Sequence, residues 1–189
     1  MTEPIGRRER KKAQTRQSLA EAALELFLER GYDQVGVKEV ADAADVSVTT
    51  LFKHFPGKEA LLFDQEHDIE VALVTAVRER APGQSIPDAL REHLLRQLPH
   101  SGDPRMDEFV RLTESTPALR EYGKRMWLRH ETALARVIAD EIGAPADDLA
   151  CAALARFVLS ARDLIAKHPD PHQAAAEIFG LLEHGWQKP

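Results

Sequence analysis

Cysteine is almost missing: Cys151 is the only one in 189 residues, so no disulfide can form within the chain and the fold must rest on its core. Aromatics are scarce at 6%. No stretch approaches the roughly 18 consecutive apolar residues that a spanning helix needs. The basic N-terminal segment runs into Glu21 and Glu25 rather than an apolar signal core, so neither membrane insertion nor export is expected, and the cytoplasm is the expected compartment. Catalytic signatures are missing too. There is no H-E-x-x-H, no G-x-S-x-G, no phosphate-binding glycine loop and no cysteine pair. His168 and His172 stand four apart, but Pro169 and Pro171 between them destroy the shared helical face a metal pair would use. Neither an enzyme nor a cofactor or metal is expected. Internal repeats, low-complexity runs and strand-like alternation of convincing length are absent.

What is present is a chain that is 43% hydrophobic and 30% charged, a balance that opposes disorder and, being rich in Ala and Leu, favours helix. The net charge of −6 is unevenly spread. Residues 1–16 carry six basic groups against two acidic ones, and residues 1–62 carry ten of each. The remaining 127 residues, with 15 basic and 21 acidic groups, hold the whole excess of acid. A tip of positive charge on an acidic body suits a protein that offers one end to phosphate and keeps the rest away.

Apolar residues recur at intervals of three and four throughout. From Arg8 to Arg30, the stripe Leu19, Ala22, Ala23, Leu26 and Phe27 excludes Arg16, Glu21, Glu25 and Glu29, and Gly31 ends the helix. Val37, Val40, Ala41 and Ala44 mark a two-turn helix, and Asp45 with Val46 turns the chain. Ser47 is placed to cap a third helix over 48–54. A long fourth helix is expected from Lys58 to Arg80, then helices over 86–98, 105–114, 117–142, 146–167 and 171–186, with Pro and Gly as punctuation. The expected fold is all-α, with about nine helices and no sheet.

The second and third helices have the lengths of a helix-turn-helix, whose second member enters the major groove of DNA. Val46, Leu51 and Phe55 suit a core, which leaves Thr49, Thr50, Lys53 and His54 polar and outward. The run from Ala41 to Leu61, ADAADVSVTTLFKHFPGKEAL, together with Ala22-Ala23-Leu24-Glu25-Leu26-Phe27 and Gly31-Tyr32, resembles the signature of the TetR family of transcriptional regulators over about residues 10–63.

That resemblance implies a helix-turn-helix DNA-binding domain over 1–57, of which 1–9 form a flexible basic arm, and an effector-binding and dimerisation domain over 58–189. It implies phosphate contacts at Ser47, Lys53, His54 and Lys58, and base-edge contacts at Val48 and Thr49, with Thr50 beside them. Lys38 is placed to reach an adjacent base or phosphate, and Arg7, Arg8, Arg10, Lys11 and Lys12 to follow the backbone or minor groove. Two positions depart from the family pattern. Val35 and Gly36 replace a usual hydroxyl pair before the second helix, so only the Gly36 backbone N–H is left to serve phosphate there. Phe52 replaces a usual tyrosine, so its role is ring packing on the sugar-phosphate.

The last two helices are apolar on two sides and need two neighbours. A second subunit is the expected partner for the face of Leu149, Ala153, Phe157, Leu164, Ala175, Phe179, Leu182 and Trp186, giving a two-fold homodimer through a four-helix bundle. Two related recognition helices would read a palindromic operator in double-stranded DNA. Met106, Phe109, Tyr122, Met126, Trp127 and His130, with Leu112, Leu119 and Leu134 behind them, offer a lining for a small-molecule effector. Core packing competes with ligand contact at each of these, and a satisfied core histidine is the ordinary reading of His130. The expected function is a one-component transcriptional regulator, a repressor released from its operator by a small molecule. The alternative is a constitutive DNA-binding protein or an activator without an inducer.

Overall fold

The computed structural model describes residues 6–97 and 104–185. Among them are nine α-helices and no strand: α1 (Arg7–Arg30), α2 (Val37–Ala43), α3 (Val48–His54), α4 (Glu66–Arg78), α5 (Ile86–Arg96), α6 (Pro104–Ser115), α7 (Pro117–Ile142), α8 (Leu149–Lys167) and α9 (Pro171–His184). Short 3-10 turns lie at Tyr32–Gln34 and Glu59–Leu61.

The chain forms two compact units, and each is discontinuous in sequence. The first takes residues 1–65 and 102–124, the second 66–101 and 125–189. In the first, Leu19, Ala23 and Phe27 of α1 pack with Val40 and Ala41 of α2, Leu51 of α3, and Phe55 and Leu61 beyond it. Leu119, from the first turn of α7, is fully enclosed in this same core. In the second unit, α9 packs on α5 and α8, and Leu73, Leu90, Leu134, Ile138, Val158, Ile165 and Phe179 fill the interior. Sequence-local caps set the helix starts: Ser85 accepts from the Asp88 N–H, Asp148 from Cys151 and Asp170 from Gln173.

The observed helices depart from expectation in four places. Arg7, Arg8 and Glu9, expected in a flexible arm, form the first turn of α1, because the Arg10 N–H already bonds the Gly6 carbonyl. Residues 1–5, the rest of that arm, lie outside the described residues. The expected helix over 58–80 is interrupted, and only Glu66–Arg78 is regular. Leu61, Leu62 and Phe63 all turn into one core, whereas three consecutive residues of an α-helix spread over about 200°, so the backbone tightens instead. Helix α8 starts at Leu149 rather than Ala146, since Asp148 takes the capping position. Helix α5 ends at Arg96 rather than residue 98, the Gln97 N–H closing its last turn on the His93 carbonyl; Leu98 and Trp186 lie outside the described residues.

The turn between α2 and α3 depends on one backbone conformation. Asp45 has φ of 53°, the one positive value at a non-glycine among the described residues, and the Val46 N–H reaches back to the Ala41 carbonyl at 2.9 Å. Aspartate tolerates this region where a β-branched side chain does not. Asp45→Val is therefore expected to destabilise the protein by about 1–2 kcal/mol, and Asp45→Gly to be close to neutral. Urea unfolding of the two variants checks the difference, and equal midpoints would refute it.

Candidate DNA interface

Helix α3 has seven residues, too few to persist by propensity. Leu51 is fully buried and Phe55 is 1% exposed, and these two anchors fix which side faces outward. With about 100° between successive residues, the side opposite Leu51 carries Phe52, Thr49 and Lys53, all exposed. Phe52 is 51% exposed, the condition of a ring that has something other than the core to cover it. Ser47 caps the helix: its Oγ accepts from the Thr50 N–H at 3.1 Å and lies 2.9 Å from the Thr50 hydroxyl. The exposed ends of α2 and α1 add Lys38 and the basic side chains of Arg7, Arg8, Lys11 and Lys12. Val48, Thr50 and His54 are half-buried at the margins of the face, Val48 packing against the core.

Three residues are held differently from what the sequence suggests. The Gly36 N–H, expected to serve phosphate, donates to Glu39 Oε2 at 2.8 Å, and Arg30 pairs with Glu39 Oε1 at 2.7 Å. The backbone bond first, and Arg30 second, hold the Glu39 carboxyl below its ordinary range. Glutamate three residues into a helix reaches back to the cap N–H, which fills the place a hydroxyl cap leaves empty. Lys58 donates to the Tyr32 carbonyl, with its ammonium 3.9 Å above the Tyr32 ring. Burial lowers its pKa, against Asp33, Glu59 and Glu39, which raise it. Its neighbour Glu59 accepts from the Tyr32 hydroxyl at 2.9 Å, so this corner is tied twice to the end of α1.

Sequence reasoning missed Arg16. Its guanidinium donates to the His54 carbonyl at 2.7 Å and to the Asp64 carbonyl at 2.8 Å, and lies 4.3 Å over the Phe55 ring. It satisfies the last turn of α3 and the residues that lead into α4 from one side chain. The signal in the sequence is its register: Arg16 stands four, seven and eleven positions before Ala20, Ala23 and Phe27, on the buried side of α1, opposite Glu21, Glu25 and Glu29.

The expected effector residues separate between the two units. In the first, Phe63 stacks on Tyr122 with centroids 5.2 Å apart, and Phe109 meets Phe63 edge-on at 6.2 Å, while Met106 is exposed. In the second, Met126 and His130 are buried, and Trp127 lies edge-on to His130 at 5.3 Å with Arg162 over its ring at 4.3 Å. His130 is not the satisfied core histidine of the ordinary reading. Its Nδ1 lies 3.4 Å from Glu70 Oε2, and its Nε2 is buried without a hydrogen-bond partner among the described residues, a condition that costs about 1–3 kcal/mol. An open groove of about 400 Å³ elsewhere in this unit is lined by Arg80, Ser85, Ile86, Ile138, Cys151 and Leu154, and by none of those six residues. Burial raises the Cys151 thiol pKa, as befits an unreactive cysteine.

The expected dimer face divides in the same way. Leu149 is 82% exposed and Leu164 65%, and Ala153 and Phe157 share their side of α8. Ala175 and Phe179 point the other way. They are buried in the unit's own core, where α9 packs on α5 and α8, and are not free to meet a partner. Leu182 is half-buried against that core. Trp186 lies outside the described residues.

Replacing Arg16 by Met keeps the aliphatic stem and removes both charge-assisted bonds, so a loss of about 2 kcal/mol is expected in urea unfolding; Lys restores part of it at most. The His54 imidazole is held below its ordinary pKa by burial first, then by Lys12 and Arg16. Folding therefore keeps it neutral: stability is complete above about pH 6.5 and falls as acid protonates the unfolded chain first. A phosphate beside it reverses the balance, so DNA affinity is expected to rise from pH 8 to 6 and to lose much of that rise in His54→Gln. Identical pH profiles in titrations of the two proteins would remove His54 from the interface.

Comparison with known proteins agrees with this geometry. The family model described as bacterial regulatory proteins, tetR family, matches residues 19–64, and the MftR C-terminal domain model matches residues 80–184, more than half of the chain. The HTH-type transcriptional regulator TcmR of Streptomyces glaucescens is 32% identical over 151 residues, covering 76% of this chain and 67% of that protein. Among solved structures, Salmonella enterica GusR aligns with a TM-score of 0.58 at 22% identity over 98% of this chain and 97% of that one. Thermus thermophilus FadR, a TetR family transcriptional repressor in complex with lauroyl-CoA, aligns with a TM-score of 0.55 at 24% identity over 92% and 96%. The structural likenesses speak to the fold, the sequence matches to ancestry. A capped, core-anchored helix with an open outer face, at the end of a run of residues the family shares, places this chain in the TetR family of helix-turn-helix DNA-binding transcriptional regulators, which act by binding DNA and not by catalysis.

Proposed function

We propose that the protein is a repressor that binds a palindromic operator as a homodimer and leaves it when a small-molecule effector binds. The observation that carries this reading is the outer face of α3, where Thr49, Phe52 and Lys53 stand exposed over the buried Leu51. Thr49, with Val48 and Thr50 beside it, meets base edges. Ser47, Lys53, His54 and Lys58 meet phosphates, Lys58 with the ammonium hydrogens that Tyr32 leaves free. Lys38 reaches an adjacent base or phosphate, and Phe52 covers a sugar. A base contact carries sequence information and a phosphate contact does not.

The stripe of exposed Leu149, Ala153 and Leu164 with the half-buried Phe157 supports the dimer, since two leucines this open on one helix side ask for a partner surface. A two-fold through this face presents two α3 helices to half-sites about one helical turn, ~34 Å, apart. Release follows if the effector binds better to a conformation in which those helices are wrongly spaced. Only that difference in affinity lowers DNA binding. The candidate effector contacts in the second unit are Met126, Trp127 and His130.

The test begins with fragments of the source genome selected by the purified protein, which supply the operator. On that duplex, Lys53→Ala is expected to weaken all sequences alike and to reduce the magnitude of the salt slope by about one unit. Thr49→Ala is expected to relax preference at one position, at about 1–3 kcal/mol on the cognate site. Binding that is indifferent to sequence in the wild type would overturn the operator reading, and sedimentation as a monomer at micromolar concentration would overturn the dimer.

A further inference from the structure

His130 occupies a place where a leucine would be the simpler choice. It lies in the middle of α7 with Met126 one turn before it and Leu134 one turn after, all on the buried side of the helix. Its ring is entirely enclosed, and two neighbours set its orientation: the Glu70 carboxylate of α4 at Nδ1, and the edge-on indole of Trp127. A carboxylate only accepts, so the imidazole proton that meets Glu70 belongs to Nδ1, and in the neutral ring Nε2 keeps its lone pair. Nε2 is one of two buried side-chain polar atoms without a protein partner among the described residues, the other being His54 Nδ1 in the first unit.

We propose that Nε2 of His130 is the polar anchor of the effector site, and that the effector is a neutral, largely apolar molecule that presents an O–H or N–H donor to it. This rests on the ligand-responsive reading above. Neutrality follows from the surroundings. Glu66 pairs with Arg129, Glu131 with Arg156, and Arg162 with Asp163, which leaves Glu70, engaged at Nδ1, as the charge that faces the ring. An anion at Nε2 needs a second proton on the ring and is repelled by Glu70, and an ammonium must give up its water for a single acceptor among Met126, Leu134 and Trp127. A hydroxyl needs only the one acceptor, and Met126, Leu134 and Trp127 supply apolar contact for the remainder of the molecule.

The experiment uses the full chain with three probes of one shape: 4-methylphenol, which donates; 4-methylanisole, which does not; and 4-methylbenzoate, which is an anion. Calorimetric titration is expected to give at least about ten-fold tighter binding of the phenol than of the anisole, the size of one satisfied buried acceptor, with the benzoate weakest. His130→Leu is expected to equalise phenol and anisole, and His130→Gln, which keeps an acceptor, to restore part of the preference. Nitrogen-15 shifts of the wild-type imidazole need no variant: the free protein is expected to show a protonated Nδ1 and a bare Nε2, and the phenol to move the Nε2 resonance. Equal binding of phenol and anisole, a proton on Nε2 in the free protein, or no binding of any probe at millimolar concentration would overturn the proposal. Operator binding measured in parallel keeps the two readings apart. Its survival alongside a failed probe series sinks only the anchor, and its absence sinks the regulator whatever the probes do.

Discussion

Burial of Leu51 and Phe55 is the constraint from which the rest of the DNA-reading unit follows. Seven residues of helix in water lose more chain entropy than their hydrogen bonds return, so α3 exists only where its inner side is held. Phe55 also provides the surface on which the Arg16 guanidinium lies, and Arg16 in turn takes the carbonyls of His54 and Asp64. One ring therefore serves as the end of the recognition helix, as part of the core and as the bed for the cation that joins α1 to both flanks of the 55–64 segment.

Electrostatics in the free protein are arranged inwards at several of the points where phosphate is expected. Glu39 occupies the Gly36 N–H at the start of α2, and Lys58 is bonded to Tyr32. The lysine keeps hydrogens for an added acceptor, while the Gly36 donor must first be surrendered by Glu39. The bare helix start and the lysine are thus different kinds of contact, one in competition with the protein itself and the other additional to it.

Much of this was legible in the chain. Ser47 as a cap, Asp45 as a turn and Leu51 as an anchor all rest on interactions within a few positions, and local chemistry decides them. The break before α4 was not legible, because Leu61, Leu62 and Phe63 share a core only once α1 and α6 surround them, and Lys58 meets a carbonyl 26 positions away. Arg16 acts over 38 and 48 positions, so its register on α1 shows a cation on the buried side but not the carbonyls that satisfy it. In α8 and α9 the spacing revealed two apolar sides without saying which one the unit's own helices would take. Phe179 went to the inside and Leu164 to the outside, and only the neighbours distinguish them. His130 read as ordinary core because its burial was visible in the pattern, whereas the state of its second nitrogen depends on Glu70, a residue of another helix.

Leu119 lies more than fifty residues beyond the helix-turn-helix, yet it completes the same enclosed core as Leu19 and Leu51. A reading head severed after residue 57 would lose that plug together with the Phe109 and Tyr122 rings that close over Phe63. Moving this DNA-binding unit onto another helical body accordingly requires two grafts, residues 1–65 and 102–124, moved as one piece.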